Sequence, residues 1–179
     1  MSPIIKKKYS KKRSIEKAYI AQKRPHVSLL LHDIRSVHNV GAIFRSAEAA
    51  GVNQVYLSGY TPGPHDRFGR VRKDFAKTSL GAERTLPLSY VSNPEYLFSE
   101  LKKKGVLIIA LEQSPHSVDY KQVEVESKCL IMLGNEVTGL PKKFLDAVDI
   151  IAEIPLRGKK ESLNVAAAAA VFLFRLLDS

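Results

Sequence analysis

The side chains of this sequence best suited to chemistry are two amides, a guanidinium, a carboxylate and a hydroxyl, spread over three polar segments. They are Asn39, Arg45, Glu136, Ser162 and Asn164. Amides and hydroxyls orient a substrate by hydrogen bonding, a carboxylate accepts several such bonds, and a guanidinium presents a planar fork that suits phosphate. Two histidines, His32 and His38, form no persuasive set of ligands, so we expect no metal.

The first segment, residues 32–45, is typical of a strand end followed by a polar turn and a helix. Asn39 can cap that helix, and capping alone would account for it. Arg45 lies two turns further along, where it would either bind phosphate or face solvent. The six-residue spacing does not by itself bring the two side chains together.

The second segment, residues 129–141, is an apolar strand that leads into a Gly-Asn-Glu turn. Gly134 lacks a Cβ, which would let a ligand approach the backbone, and Glu136 would stand at the rim of that pocket. A strand, a glycine turn and a helix are common in parallel-sheet proteins, so this string alone is a weak signal.

The third segment, residues 154–175, passes through a cationic loop into five consecutive alanines. Ser162 is a natural N-cap, and the alanines favour a helix. That helix is apolar nearly all round, which predicts that it is buried. Burial of a core helix leaves the polar, cationic loop before it unexplained.

Apolar runs with strand character alternate with helical patterns along most of the chain. Strands are predicted at 28–31, 54–57, 86–91, 106–111, 129–133 and 150–154, and helices at 40–50, 94–104, 141–147 and 163–177. This alternation predicts an α/β fold, with a mostly parallel sheet and helices on both faces. Ligand sites of such sheets gather at the carboxyl ends of the strands, where the polar segments lie.

The composition indicates one soluble domain. The chain has 179 residues, 45% of them hydrophobic, and we divide it into a basic N-terminal extension, residues 1–24, and a domain, residues 25–179. No apolar run reaches the roughly 20 residues of a membrane span. The N-terminus carries no apolar signal core, and the single cysteine, Cys129, has no intrachain partner. We therefore expect a cytoplasmic protein that does not enter a membrane.

Positive charge is concentrated in two regions. Residues 1–24 hold nine basic side chains against Glu16 alone, which gives +8 of the formal net charge of +10. The long connection 58–76 adds further cations. Such clusters attract RNA, DNA or an anionic membrane, although solvated charge on a tail or surface loop is the simpler explanation. The candidate RNA contacts are Lys11, Lys12, Arg13, Arg67, Arg70, Arg72 and Lys73.

Together the three segments resemble the SpoU (TrmH) branch of the SPOUT superfamily, whose members methylate RNA ribose 2′-oxygens. The resemblance covers about residues 27–177. It rests on three strings in the family's order: Asn-Val-Gly-Ala-Ile-Phe-Arg at 39–45, Leu-Gly-Asn-Glu-Val-Thr-Gly-Leu-Pro at 133–141, and Ile-Pro-Leu-Arg-Gly through Ser-Leu-Asn-Val-Ala at 154–166. Three ordered matches are far more specific than any one of them.

The resemblance implies an α/β fold with a deep C-terminal trefoil knot and a homodimer in which the first and last helices meet the partner. It implies a structured RNA substrate, tRNA or rRNA. It implies that the five polar residues named first are catalytic or orient the substrate. It also implies S-adenosylmethionine in a pocket lined, largely through backbone groups, by Leu111, Gly134, Ile154 and Leu163.

Two alternatives of other classes stay open. A non-catalytic RNA-binding protein could keep the same fold, although the presence of all five polar residues counts against it. A doubly wound nucleotide-dependent enzyme would need a G-x-G-x-x-G after its first strand or a phosphate-binding loop motif, and the sequence has neither.

Accounts of the family often make the arginine at the position of Arg45 a general base. Because a guanidinium is always protonated, we expect Arg45 to steer phosphate instead.

Overall fold

A computed structural model describes residues 24–177. The strands are β1 (His26–His32), β2 (Gln54–Ser58), β3 (Leu88–Val91), β4 (Leu107–Leu111), β5 (Val118–Asp119), β6 (Lys128–Leu133) and β7 (Ile150–Glu153). The helices are α1 (Val37–Ala50), α2 (Lys73–Ser79), α3 (Pro94–Lys103), α4 (Lys142–Leu145) and α5 (Val165–Leu177), with short 3-10 turns at Ala82–Arg84 and Tyr120–Gln122. The predicted contacts Lys11, Lys12 and Arg13 lie outside the described residues.

All seven strands pair in parallel in one sheet, in the order β3-β2-β1-β6-β4-β7-β5. Successive residues of the central strand β1 point to opposite faces of the sheet. Leu29 and Leu31 pack into the core beneath α1 and α5, whereas Leu30 packs on the other face with Phe98 of α3 and Phe144 of α4. The prediction of an α/β fold with a parallel sheet and helices on both faces is therefore confirmed.

The sheet order decides which polar turns meet. Strand β1 pairs with β6, and β6 pairs with β4, which in turn pairs with β7. The turns after these strands therefore lie side by side at one edge of the sheet. They contain the three polar segments singled out in the sequence.

The first residues of α1 and α5 differ from the prediction. Ser36 caps α1, because its side chain accepts a hydrogen bond from the backbone N–H of Asn39 at 3.3 Å. Asn39 thus lies inside the first turn, and its side chain is free to turn toward the sheet edge. Asn164 instead of Ser162 caps α5: its Oδ1 accepts from two backbone N–H groups of the first turn, at 2.9 and 3.2 Å. The capping roles predicted for Asn39 and Ser162 are both wrong.

The connection after β2 is shorter than predicted. Helix α2 begins at Lys73, so the irregular part covers residues 59–72 rather than the predicted 58–76. Within it, a bridge between His65 and Val71 closes a narrow turn. Helix α2 was missed because glycine, proline and arginine dominate the segment that leads into it.

Helix α5 is buried on only one side. Phe172 and Leu173 are buried in the core, whereas Ala167, Val171 and Phe174 form an exposed stripe one and two turns apart. Val171 and Phe174 are each 42% exposed. The prediction of burial all round is therefore wrong for the single chain, because α1 and the sheet cover just one face of this helix.

Cys129 lies in β6 and is 1% exposed. Its burial raises the pKa of the thiol to about 12, so it stays protonated at neutral pH. Within residues 24–177, none of the helices has the length and apolar character needed to cross a membrane.

Candidate active site

A cavity of about 330 Å³ opens at the carboxyl ends of β4, β6 and β7. Its apolar lining comes from Leu111, Leu133, Ile154, Leu156, Leu163 and Val165, and its carboxylates from Glu112, Glu136, Glu153 and Glu161. The four residues expected to line a cofactor pocket, Leu111, Gly134, Ile154 and Leu163, all line it, and so does Ser162. The structure thus gathers these predicted residues around one space.

Beside this cavity a chain of hydrogen bonds joins the three polar segments. The side-chain amide of Asn164 donates to Asn39 Oδ1 at 3.0 Å, and Asn39 Nδ2 donates to Glu136 Oε1 at 2.9 Å. An ionised carboxylate only accepts, so Asn39 must present its NH₂ to Glu136 and its oxygen to Asn164. The orientation of both amides is therefore fixed, and one residue from each of the three polar segments takes part in the chain.

Glu136 is held from both sides. Its Oε2 accepts from the backbone N–H of Arg35 at 2.9 Å, and its Oε1 accepts from that of Ser36 at 3.2 Å. Partial burial opposes the charge on Glu136, but hydrogen bonds from Arg35 and Asn39 outweigh it and hold the pKa of the carboxyl below its usual range. An ionised carboxylate with both oxygens occupied is a poor base, and its bond to Asn39 Nδ2 holds that amide in one orientation.

Asn135 builds the turn that presents Glu136, a role the sequence analysis missed. Its Oδ1 accepts from the N–H groups of Val137 and Thr138 at 2.8 and 2.9 Å. Its Nδ2 donates to Asp33 O at 2.9 Å and to Tyr60 Oη at 2.7 Å. The available signal was the asparagine at the start of a turn, which often folds its own backbone in this way.

The turn after β1 is fastened to the segment that follows β2. Asp33 has a left-handed backbone, with φ of 55°, and its Oδ1 accepts from Tyr60 N at 3.0 Å. Gly59, with φ of 62°, has no room for a Cβ because the Asp33 carboxylate fills that space. Ile34 N donates to Thr61 Oγ1 at 3.1 Å. Residues 59–61 thus hold the start of the basic connection, residues 59–72, against the turn after β1 that also contacts Glu136.

Gly134 is needed for a reason other than the one predicted. A Cβ on Gly134 would lie 2.5 Å from the carbonyl carbon of Gly139, so the protein's own backbone occupies the space assigned to a ligand. Glu112, also missed in the sequence, holds that returning segment, since its Oε2 accepts from Leu140 N at 3.0 Å. Its signal was a carboxylate directly after β4.

Arg45 lies away from the cavity. It is exposed two turns along α1 from Asn39, in a shallow groove that also includes Ala42, Lys77 and Phe174. Within residues 24–177, the structure shows no hydrogen bond or ion pair to its guanidinium. Of the five polar residues, the structure therefore joins three directly, places Ser162 in the cavity wall and leaves Arg45 apart.

The predicted RNA contacts of the basic connection are on the surface. Arg67, Arg70 and Lys73 are exposed, and the Arg72 side chain is 32% exposed. Arg70 pairs with Asp66 at 2.7 Å. The described residues contain no group of three or more side chains placed to hold a metal ion.

The family model of the SpoU rRNA methylase family matches residues 26–174. The chain belongs to that family. The resemblance to that family, inferred from three sequence strings, is therefore confirmed over most of the chain. The three matched segments are the ones that meet at the site of this SpoU-family protein.

Curated relatives are similar over most of this chain. It is 37% identical over 146 residues to a 23S rRNA (guanosine-2′-O-)-methyltransferase of Xylella fastidiosa strain 9a5c, covering 82% of this chain and 56% of the relative. It is 32% identical over 152 residues to the enzyme of the same description from Coxiella burnetii, covering 85% of this chain and 58% of the relative. The chain thus spans little more than half the length of these relatives.

Solved structures share the fold. An S-adenosylmethionine-bound rRNA methyltransferase of Sinorhizobium meliloti has a TM-score of 0.74 at 27% identity, with 85% of this chain and 56% of that chain covered. A TrmH/SpoU tRNA-modifying enzyme of A. aeolicus has a TM-score of 0.75 at 21% identity, with 93% and 82% covered, and supports the fold alone.

Proposed function

We propose that this SpoU-family protein transfers the methyl group of S-adenosylmethionine to a ribose 2′-hydroxyl of rRNA or tRNA. The observation that carries this proposal is the Asn164–Asn39–Glu136 chain beside the cavity at the strand ends. Its family membership and the methyltransferase names of its relatives support the same reaction.

The lining of the cavity suits S-adenosylmethionine. Its volume lies at the lower end of the range of small-molecule sites. Leu111, Ile154 and Leu163 would pack on the apolar part of the cofactor, and Gly134 belongs to the backbone that would bind its polar edge. The nearby carboxylates favour a cationic ligand. When bound, S-adenosylmethionine supplies a methyl group already activated by its sulfonium charge.

Catalysis in this site would depend on alignment. Asn39, Asn164 and Ser162 would orient the ribose so that its 2′-oxygen faces the methyl group, and such positioning can supply much of a rate enhancement. Glu136 keeps Asn39 in place and stays ionised. Arg45, which lies in a separate groove two turns along α1 from Asn39, would bind a ribose phosphate of the RNA, for which its permanent charge and planar fork are sufficient.

The basic surfaces would hold the RNA. In this proposal residues 1–24 are a basic extension of the domain 25–179. The proposed location of the protein is the cytoplasm. The proposed contacts are Lys11, Lys12, Arg13, Arg67, Arg70, Arg72 and Lys73. Cations on an adaptable connection suit an RNA that is recognised through its backbone and shape.

A homodimer and a C-terminal trefoil knot complete the proposal. The exposed stripe of α5, with Val171 and Phe174, lies beside the groove that holds Arg45, so a second copy packed there would cover the stripe and bring another surface to Arg45. Phe174→Glu should then convert a dimer into a monomer in analytical ultracentrifugation.

The knot would require the third segment, residues 154–175, to pass through a preceding loop, and an experimental chain trace that runs outside that loop would contradict this.

Calorimetry with S-adenosylmethionine tests the proposed function directly. We expect the full chain to bind the cofactor, and to transfer a labelled methyl group to rRNA or tRNA from cells that lack the gene. Nuclease digestion and mass spectrometry should then find the label on a ribose. Binding of RNA without any binding of S-adenosylmethionine would instead support a non-catalytic RNA-binding protein.

A further inference from the structure

Phe68 is exposed at the tip of the basic connection, with arginines close to its ring. The residue is 66% exposed. The guanidinium carbon of Arg67 lies 4.7 Å from the ring centroid, and that of Arg70 lies 5.0 Å from it. An apolar ring of this size is normally buried unless it meets a partner, whereas this one is surrounded by cations.

The tip that carries Phe68 is held in a defined shape. Asp66 Oδ1 accepts from the N–H groups of Phe68 and Arg70 at 2.8 and 3.0 Å, and Asp66 Oδ2 accepts from Arg70 Nε at 2.7 Å. The bridge between His65 and Val71 closes the turn below it. The ring is therefore presented to solvent by a folded turn, since both neighbours of Gly69 are tied to one carboxylate.

The charge around the ring selects the partner. Arg70 is partly neutralised by Asp66, but within residues 24–177 no carboxylate lies within ion-pair distance of Arg67. A protein partner or a membrane could cover an apolar ring, but a ring between guanidinium groups matches an unpaired base flanked by phosphates. Bases stack on aromatic rings and on guanidinium planes alike, and the cations pair with the phosphates on either side.

The first residues of the connection link this tip to the candidate active site. Tyr60 and Thr61 are hydrogen-bonded to the turn after β1, and Tyr60 Oη accepts from Asn135 in the Glu136 turn. RNA bound at Phe68 would thus be attached to the same framework that holds Asn39 and Glu136.

We propose that Phe68, with Arg67 and Arg70, forms a stacking platform for an unpaired base of the RNA substrate. This inference rests on the proposed function and adds a base contact to a surface otherwise expected to grasp phosphates. The platform would favour RNA whose target lies near an unpaired nucleotide over a continuous duplex.

The chain has no tryptophan, so Phe68→Trp introduces a single tryptophan, whose fluorescence can be excited selectively at wavelengths that the seven tyrosines do not absorb. We expect a short unstructured RNA to quench that fluorescence, and an abasic RNA of the same length to leave it unchanged at equal occupancy. Phe68→Leu, which keeps apolar bulk but loses the ring, should weaken binding of the unstructured RNA by about tenfold or more. Binding of the abasic RNA should not change.

Other outcomes would overturn the platform. Equal quenching by both RNAs, or equal loss of affinity for both in Phe68→Leu, would mean that the ring contacts no base. Quenching that depends only on protein concentration would indicate a protein contact instead. S-adenosylmethionine binding, measured in parallel, separates the two proposals: if it is absent while Phe68→Leu still loses base-dependent affinity, the methyltransferase proposal fails and the platform stands.

Discussion

In the polar turns at the strand ends, Asn39, Glu136 and Asn164 are bonded to one another and to backbone N–H groups, so their geometry is complete within one chain. On the surface around them, Arg45 and Arg67 are exposed, with no carboxylate within ion-pair distance among residues 24–177. In the proposed reaction, the groups that orient the ribose would therefore be fixed before RNA binds, whereas the groups that bind phosphate would keep an unpaired positive charge for it.

Changes in the fixed region, the polar turns that hold Asn39, Glu136 and Asn164, should have the largest effect. The amide nitrogen of Glu136→Gln only donates, so it loses either the bond from Arg35 N at the Oε2 position or the two bonds from Asn39 Nδ2 and Ser36 N at the Oε1 position. We expect methyl transfer to fall about 100-fold or more, since misplacement of positioning groups by an ångström can cost that much. The unpaired donor should also lower the Tm by about 2–10 °C.

The matched control for that variant is Glu124→Gln, at an exposed carboxylate outside the cavity. It should keep both activity and Tm. Full methyl transfer by Glu136→Gln, measured in single turnover with labelled S-adenosylmethionine, would refute the positioning role.

Removing the separate guanidinium should slow the reaction without affecting the fold. Arg45→Ala is expected to reduce methyl transfer about tenfold, the value of one charge-assisted contact, while Tm and cofactor affinity stay unchanged. Arg45→Lys should recover only part of the rate, because an ammonium lacks the planar fork. Near-full activity in Arg45→Lys would contradict the proposed phosphate contact.

Reversing charge on the basic connection should mainly weaken RNA binding, although it also removes the Arg70–Asp66 and Arg72–Asp74 ion pairs. Arg70→Glu combined with Arg72→Glu is expected to weaken RNA binding severalfold and to reduce the slope of log affinity against log salt by about 2. Lys104→Glu, at an exposed lysine beyond α3, serves as the control. Unchanged RNA affinity in the double variant would remove this connection from the RNA-binding surface.

Two glycines test how tightly the fixed region is packed. Gly134→Ala forces a Cβ against the backbone of Gly139 and should cost about 1–3 kcal/mol, which lowers the Tm by about 2–10 °C. Gly158→Ala meets no atom within 4 Å and should leave the Tm unchanged in calorimetry. Equal Tm values for the two variants would show that the turn has room to relax.

The smallest expected effect is on pH dependence. Since the pKa of Glu136 is lowered in the folded protein, its contribution to stability is complete above the carboxyl's usual pKa and is lost as the pH falls through the lowered value. The difference in Tm between the protein and Glu136→Gln should be constant near neutrality and shrink in acid. A difference that instead shrinks toward alkaline pH would have the wrong sign.

The sequence predicted the frame of the molecule better than its details. Apolar runs located six of the seven strands, because buried parallel strands are continuous and long, whereas Val118–Asp119 is too short to leave a pattern. Local pattern assigned caps to Asn39 and Ser162, but Ser36 and Asn164 take them, since several polar residues compete at each helix start.

Residue types predicted the polar residues of the matched segments, but they did not predict the site residues whose roles depend on tertiary contacts. Glu112 and Asn135 act on segments distant in sequence, through Leu140 and Asp33, and no local string indicates such partners. Arg45 has the opposite difficulty: its type suits phosphate, but only the fold shows that it lies away from the cavity of its own chain.

The sealed position of Cys129 makes this protein convenient for site-directed probes. With its only native thiol inside the sheet and protonated at neutral pH, the unaltered background should resist maleimide reagents. A cysteine introduced at an exposed position, such as Val137 beside Glu136, would then take up a dye or spin label alone, and distance changes on RNA addition could be followed without first replacing any native residue.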